Sequence, residues 1–159
     1  MAIDIGDWAP AFSLLADTGV GVSLRDFAGR RLILYFYPKA FTPGCTAESC
    51  DFRDTAASFA TAGYAIAGVS PDPVAVLARF RAEHALPFPV LSDPEHSVAA
   101  AYGAWGIKKN YGREYRGIIR STFVIGPDGV VERVWRNVKA KGHADRLAAE
   151  LTIWPDHHR

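Results

Sequence analysis

Residues 32 to 50 read Leu32-Ile-Leu-Tyr-Phe-Tyr-Pro38-Lys-Ala-Phe-Thr42-Pro43-Gly-Cys45-Thr-Ala-Glu48-Ser-Cys50. The first six residues are continuously apolar and rich in β-formers, which suits a central strand covered on both faces. Pro38 ends that strand. Thr42 followed by Pro43 reads as a helix start, because Thr is a good N-cap and Pro is preferred at the first helical position. Cys45 then falls at the third helical position. An N-cap hydroxyl typically takes the backbone N–H there, and a capping box puts a Glu side chain there. Here a thiol stands in place of that carboxylate, among free helix N–H groups and at the positive end of the helix dipole. Both favour the thiolate. The alternative is a small buried thiol closing a turn, but strand end, cap, proline and cysteine coincide in one segment, which favours a reactive cysteine.

Outward from this segment, residues 11–28 read as a small β element around the Asp17-Thr-Gly turn. Residues 43–61 read as a helix, with Phe52, Ala56, Phe59 and Ala60 near helical spacing and Gly63 closing it. Residues 64–70 form a second buried strand, 74–84 a second helix with Val76, Leu77 and Phe80 as its apolar stripe, 88–92 a short strand and 97–102 a short helix. Residues 103–119, rich in Gly, Lys and Tyr, read as a loop or lid. Strands at 120–125 and 130–135 flank the Gly126-Pro-Asp-Gly turn as a hairpin, and 143–151 is a terminal helix. This β–α–β–α–β order followed by a hairpin and a helix predicts an α/β protein with one mixed central sheet flanked by helices. The best fit is a thioredoxin-like fold with an extra N-terminal β element.

The composition is consistent with this. A chain of 159 residues, 49% hydrophobic and 22% charged, predicts a single domain over residues 1–159 with a core large enough to need no staples. Eighteen basic and 17 acidic residues leave a net charge of +1, which excludes electrostatic capture of nucleic acid or of an anionic membrane as the main task. The acidic start has no long apolar run after it, and the longest apolar stretch is too short to span a bilayer, so a cytoplasmic setting is expected.

Two cysteines are too few for a disulfide scaffold, and chemistry is the better reason to look at them. On an intact helix, residues five apart rise about 7.5 Å and stand on different faces, with Cα atoms roughly 8–9 Å apart. That exceeds the bridging limit of about 7 Å. A Cys45–Cys50 disulfide therefore requires one of the two turns to unwind. We expect the segment 43–51 to be bistable, helical when reduced and partly unfolded when oxidised. The alternative for Cys50 is an inert core thiol.

The segment from Tyr35 to Cys50 resembles the active-site segment of the peroxiredoxins, most closely the bacterioferritin comigratory protein or peroxiredoxin Q branch. The likeness extends through Gly6-Asp-Trp-Ala-Pro-Ala-Phe-Ser-Leu, Gly68-Val-Ser-Pro-Asp, Pro87-Phe-Pro-Val-Leu-Ser-Asp, Gly112-Arg-Glu-Tyr-Arg-Gly-Ile-Ile-Arg-Ser-Thr-Phe and Gly142-His-Ala. The resemblance implies a thiol-dependent peroxidase acting on hydrogen peroxide and organic hydroperoxides. In it, Cys45 is the peroxidatic cysteine, Thr42 orients the peroxide and the thiolate, and Pro38 shields the site from water. Arg120 places its guanidinium near the thiolate, Glu48 helps hold the arginine, and Cys50 is the resolving cysteine. It further implies a monomer, thioredoxin or a similar dithiol as the reductant, and no metal, haem or flavin cofactor.

Other features carry less. His157 and His158 read as tail, and His84, His96 and His143 are scattered, with Gly142-His143 capping the last helix. With no second cysteine pair, a zinc site is not expected. Trp105, Tyr111 and Tyr115 beside Lys108 and Lys109 read as a lid packed near the active site with solvated lysines, in preference to a nucleic-acid patch. Trp8, Trp135 and Trp154 read as core or edge packing, and Asp93-Pro-Glu-His as a turn before a helix. Two further functional readings stand beside the peroxidase. One is a thiol–disulfide oxidoreductase on the same fold, which the absence of a Cys-x-x-Cys motif disfavours. The other is a redox-sensing binding module.

Overall fold

A computed structural model describes residues 3–110 and 112–151, and the side chain of Asn110 is left aside. At its centre is β3 (Arg31–Phe36), which pairs in parallel with β4 (Tyr64–Ser70) and antiparallel with β8 (Ser121–Ile125). The segment from Leu32 to Tyr37 is buried throughout, as expected of a strand with neighbours on both edges and helices on both faces. Helix α1 (Pro43–Thr61) carries the chain from β3 over to β4, and α2 (Val74–His84) carries it from β4 to β5 (Val90–Ser92). The strand order is β2 (Gly21–Ser23), β1 (Ser13–Ala16), β5, β4, β3, β8, β9 (Val131–Trp135). The hairpin of β1 and β2 is the extra N-terminal element, added antiparallel to β5. Strand β9 closes the other edge.

The two-residue period of β3 divides the core. Ile33, Tyr35 and Tyr37 face α1, α2 and α4 (His143–Glu150), where Phe52, Phe59, Leu77, Phe80 and Leu147 meet them. Leu32, Leu34 and Phe36 face the opposite layer, with Phe12, Phe27, Tyr102, Phe123 and α3 (Ser97–Ala101). Each such side chain stabilises by about 1.5–3 kcal/mol through burial. In β4, Gly68 lies in register with Tyr35, and a Cβ there would sit 2.8 Å from the tyrosine ring. The glycine thus leaves room for the ring, whose hydroxyl reaches Ser49 on α1 at 2.8 Å. This seats α1 on the sheet.

Two features depart from the sequence reading. Residues 103–119 are not a loop: β6 (Trp105–Asn110) and β7 (Arg113–Ile118) form a separate two-stranded antiparallel ladder. Glycines and adjacent lysines interrupt the apolar alternation that would have marked these strands. Asp93 does more than turn the chain, since its carboxylate is buried and accepts the N–H of Ala99 at 2.9 Å at the start of α3. Of the core and edge places expected for Trp8, it takes the edge, bridging Val130, and is 72% exposed. Trp135 is half-buried, and its indole N–H donates to Glu150 at 2.6 Å. Tyr111, Trp154, His157 and His158 lie outside the described residues. No described helix is long and apolar enough to cross a membrane.

Candidate active site

Cys45 stands at the third position of α1 and is 1% exposed. Arg120, the residue before β8, emerges beside the end of β3 because Ser121 pairs with Phe36. Its guanidinium forks between two residues on one face of α1: Nη2 donates to Cys45 Sγ at 3.3 Å, and Nη1 donates to Glu48 Oε1 at 2.5 Å. The i, i+3 spacing of Cys45 and Glu48 puts sulfur and carboxylate side by side within reach of one planar donor set. Glu48 is fully buried and its second oxygen has no partner. Burial pushes its carboxyl up to about 7, although the charge and hydrogen bond of Arg120 pull it down. Burial opposes the charge on Arg120, but Glu48 and Cys45 outweigh it and raise the guanidinium's already high value.

The loop before α1 is held from below. Asp72, which follows β4, accepts the backbone N–H of Ala40 at 2.7 Å and the Ser70 hydroxyl at 2.7 Å. Phe41 occupies the left-handed region at φ 65°, a strained position for a bulky residue. Thr42 is the N-cap by its backbone, and its carbonyl accepts the N–H of Thr46 at 2.9 Å. Its hydroxyl does not cap the helix as the sequence predicts. It donates to the Lys39 carbonyl at 2.7 Å, because the left-handed turn at Phe41 folds the chain back onto that oxygen. The N-terminus of α1 is therefore left without a side-chain cap. The Thr42 oxygen keeps its lone pairs for an incoming donor. Pro38, half-buried, marks the strand end.

Cys50 lies away from this cluster. Both cysteines are free, on an intact helix, and Cys50 is only half-buried. Its sulfur is 3.8 Å from His84 Nδ1 at the end of α2. Nothing local in the sequence marks that contact, since it arises from the α2 crossover. Asp72 was likewise invisible as a loop anchor. His143 is buried, its Nε2 is 2.8 Å from the Thr122 hydroxyl, and its ring stands nearly perpendicular to that of Phe52 at 5.8 Å. Burial, with Arg146 and Arg120 nearby, pushes it down to about 4. Lys108 is half-buried, and not the solvated residue expected. Burial and the charge of Arg120 lower its value while Cys45 opposes the shift, which ties β6 to the site. Lys109 is exposed and lies 3.7 Å from Glu114. Among the described residues no group of three or more His, Cys, Asp or Glu is placed to hold a metal ion. A cavity of about 750 Å³ near Phe12, Phe27 and Gly126 includes none of these site residues.

A buried thiol pinned by an arginine at a helix start is suited to nucleophilic attack on an electrophilic oxygen, with donors preset for developing negative charge. Comparison with known proteins agrees. The AhpC/TSA family model matches residues 5–134. The chain is 51% identical over 148 residues to a putative peroxiredoxin of Mycobacterium tuberculosis, covering 93% of this chain and 94% of the relative. It is 50% identical over 143 residues to peroxiredoxin Bcp of Bacillus subtilis, covering 90% and 91%. A solved structure of the Xanthomonas campestris bacterioferritin comigratory protein, concerned with that protein's alkyl peroxide reduction, is 40% identical with a TM-score of 0.83, covering 89% of this chain and 90% of that one. With the thiol, the fold and these relatives in agreement, the chain belongs to the AhpC/TSA family, as a thiol peroxidase of its Bcp or peroxiredoxin Q branch.

Proposed function

We propose that Cys45 is the peroxidatic residue. Its thiolate attacks one oxygen of the peroxide, the O–O bond breaks, and the other oxygen leaves as hydroxide or alkoxide and takes up a proton. Sulfur is oxidised by two electrons to a sulfenic acid. The observation that carries this reading is the shared fork of Arg120, one arm on the Cys45 sulfur and the other on buried Glu48. In that position the guanidinium stabilises both the thiolate and the charge that spreads over the oxygens in the transition state. Thr42, already donating to Lys39, accepts the peroxide O–H and so orients it. Pro38 shields the reacting sulfur from water. Glu48 is a positioning residue that fixes the angle of Arg120.

Cys50 then attacks the sulfenic sulfur, and the S–O bond breaks to give an intramolecular disulfide and water. This requires local unwinding of α1, since both thiols sit on one helix. A dithiol protein, thioredoxin in our reading, restores both thiols by exchange. Organic hydroperoxides as well as hydrogen peroxide are the proposed substrates, with the alkyl peroxide chemistry of the Xanthomonas campestris relative in support. We further read the chain as one domain that works as a monomer in the cytoplasm. The test is single-turnover oxidation of the reduced protein by one equivalent of hydrogen peroxide, followed by intact mass. Rapid loss of two hydrogens, reversed by thioredoxin with its reductase, is expected. Slow oxidation with no intramolecular disulfide would overturn the reading.

A further inference from the structure

We propose that His84 is the proton acceptor for Cys50 in the resolving step, and so a catalytic side chain that α2 brings to α1. This rests on Cys50 being the resolving cysteine. The Cys50 sulfur and His84 Nδ1 are 3.8 Å apart, within hydrogen-bond reach for sulfur. The tautomer with its proton on Nε2 leaves Nδ1 free to accept from the thiol. The ring is held in place. His84 is the last residue of α2, its carbonyl accepts from Arg53 Nη1 at 3.0 Å, and its ring packs against Phe80 at 5.2 Å and Phe41 at 6.1 Å.

The contact also survives the rearrangement that disulfide formation needs. The turn carrying Cys50 is the better anchored one: Ser49 bonds Tyr35 at 2.8 Å, Asp51 accepts the N–H of Gly142 at 2.8 Å, and Arg53 holds α2. The first turn, after strained Phe41 and without a side-chain cap, is the one that opens and brings Cys45 to Cys50. The step balances. The Cys50 S–H proton passes to His84 Nδ1, the thiolate attacks Cys45 sulfur, and the S–O bond breaks. The hydroxide leaves with a proton from solvent as water, and the imidazolium returns its proton to solvent. Cys50 is oxidised and the sulfenic sulfur reduced, with no outside oxidant.

The test compares His84→Phe, which retains aromatic packing against Phe41 and Phe80, with His84→Ala in buffers with and without imidazole. Reduced protein is mixed with one equivalent of hydrogen peroxide. Sulfenic acid formation and disulfide formation are followed separately by dimedone trapping and intact mass. The expected result is a ratio of disulfide rate to sulfenic acid rate about 100-fold below wild type in both variants. Sulfenic acid should accumulate, sulfinic acid should form when peroxide is in excess, and imidazole should partly restore the ratio in His84→Ala. A wild-type ratio in His84→Phe would overturn the proposal, as would slowing of both steps alike, or a slowed ratio in His84→Ala that imidazole leaves unchanged. If wild type itself forms no Cys45–Cys50 disulfide, it is the assignment of Cys50 that fails.

Discussion

Cys45 and Cys50 are the same residue type on the same helix, yet the rest of the fold treats them in opposite ways. Cys45 is buried in the first turn against the arginine that precedes β8, which is itself tied to a buried carboxylate. Cys50 is half-exposed more than a turn later, beside a histidine from α2. The difference between the two sulfurs comes from the neighbouring elements that reach each of them as well as from their places along the helix. In the proposed cycle the permanent cation serves the thiol that meets the peroxide, and the base serves the thiol that resolves the product.

The sharpest way to test this contrast is to remove each sulfur in turn. Cys45→Ser should lower the rate of reaction with peroxide roughly 10⁴-fold or more, whereas Cys50→Ser should still consume one equivalent and then fail to turn over with a dithiol reductant. Stopped-flow tryptophan fluorescence and a coupled turnover assay separate the two, and equal defects in both would erase the distinction. Next in size, Arg120→Met removes the cation with little change in length and should slow sulfenic acid formation about 10²–10³-fold. The rate of disulfide formation from sulfenic acid should change far less. A smaller effect is expected of Thr42→Val, about ten- to a hundredfold on the peroxide step, with Thr42→Ser close to wild type.

The smallest effect is on stability, and its sign differs between two buried groups. The folded-state value of Glu48, about 7, lies above its ordinary 4.5. Its contribution is therefore fully present below about pH 4.5 and is lost as the pH rises through 7. The folded-state value of His143, about 4, lies below its ordinary 6.5. The contribution of the neutral ring is present above 6.5 and is lost as the pH falls toward 4. Between about pH 4.5 and 6.5 the two slopes oppose. Denaturant unfolding across this window should show Glu48→Gln more acid-sensitive than wild type and His143→Gln less so, each by about 2 kcal/mol. Parallel curves for all three proteins would mean that neither group titrates abnormally.

The elements around the site were legible where punctuation is local. The Thr42-Pro43 start and Gly63 bounded α1, and Pro71 and Pro73 marked off α2 from β4. Arg120 was legible through its motif alone, since no periodicity singles out an arginine before a strand. The β6–β7 ladder was missed because its stability comes from cross-strand pairing, such as Lys108 opposite Tyr115, and not from an apolar stripe. The hydroxyl of Thr42 was aimed wrongly because the left-handed state of Phe41 is not a common preference of phenylalanine. His84 and Asp72 lie 34 and 32 residues from the groups they contact, so only the crossovers bring them there.

Gly68 carries no functional group, yet it sets the width of the slot in which Tyr35 lies and from which that ring reaches Ser49 on α1. In a saturation mutagenesis screen scored by survival under peroxide, this position should therefore register among the intolerant ones. Even alanine there would press the ring toward the helix that bears both thiols. A map of tolerance drawn over this protein would thus mark a silent atom-sized gap in the sheet as sharply as it marks the sulfurs themselves.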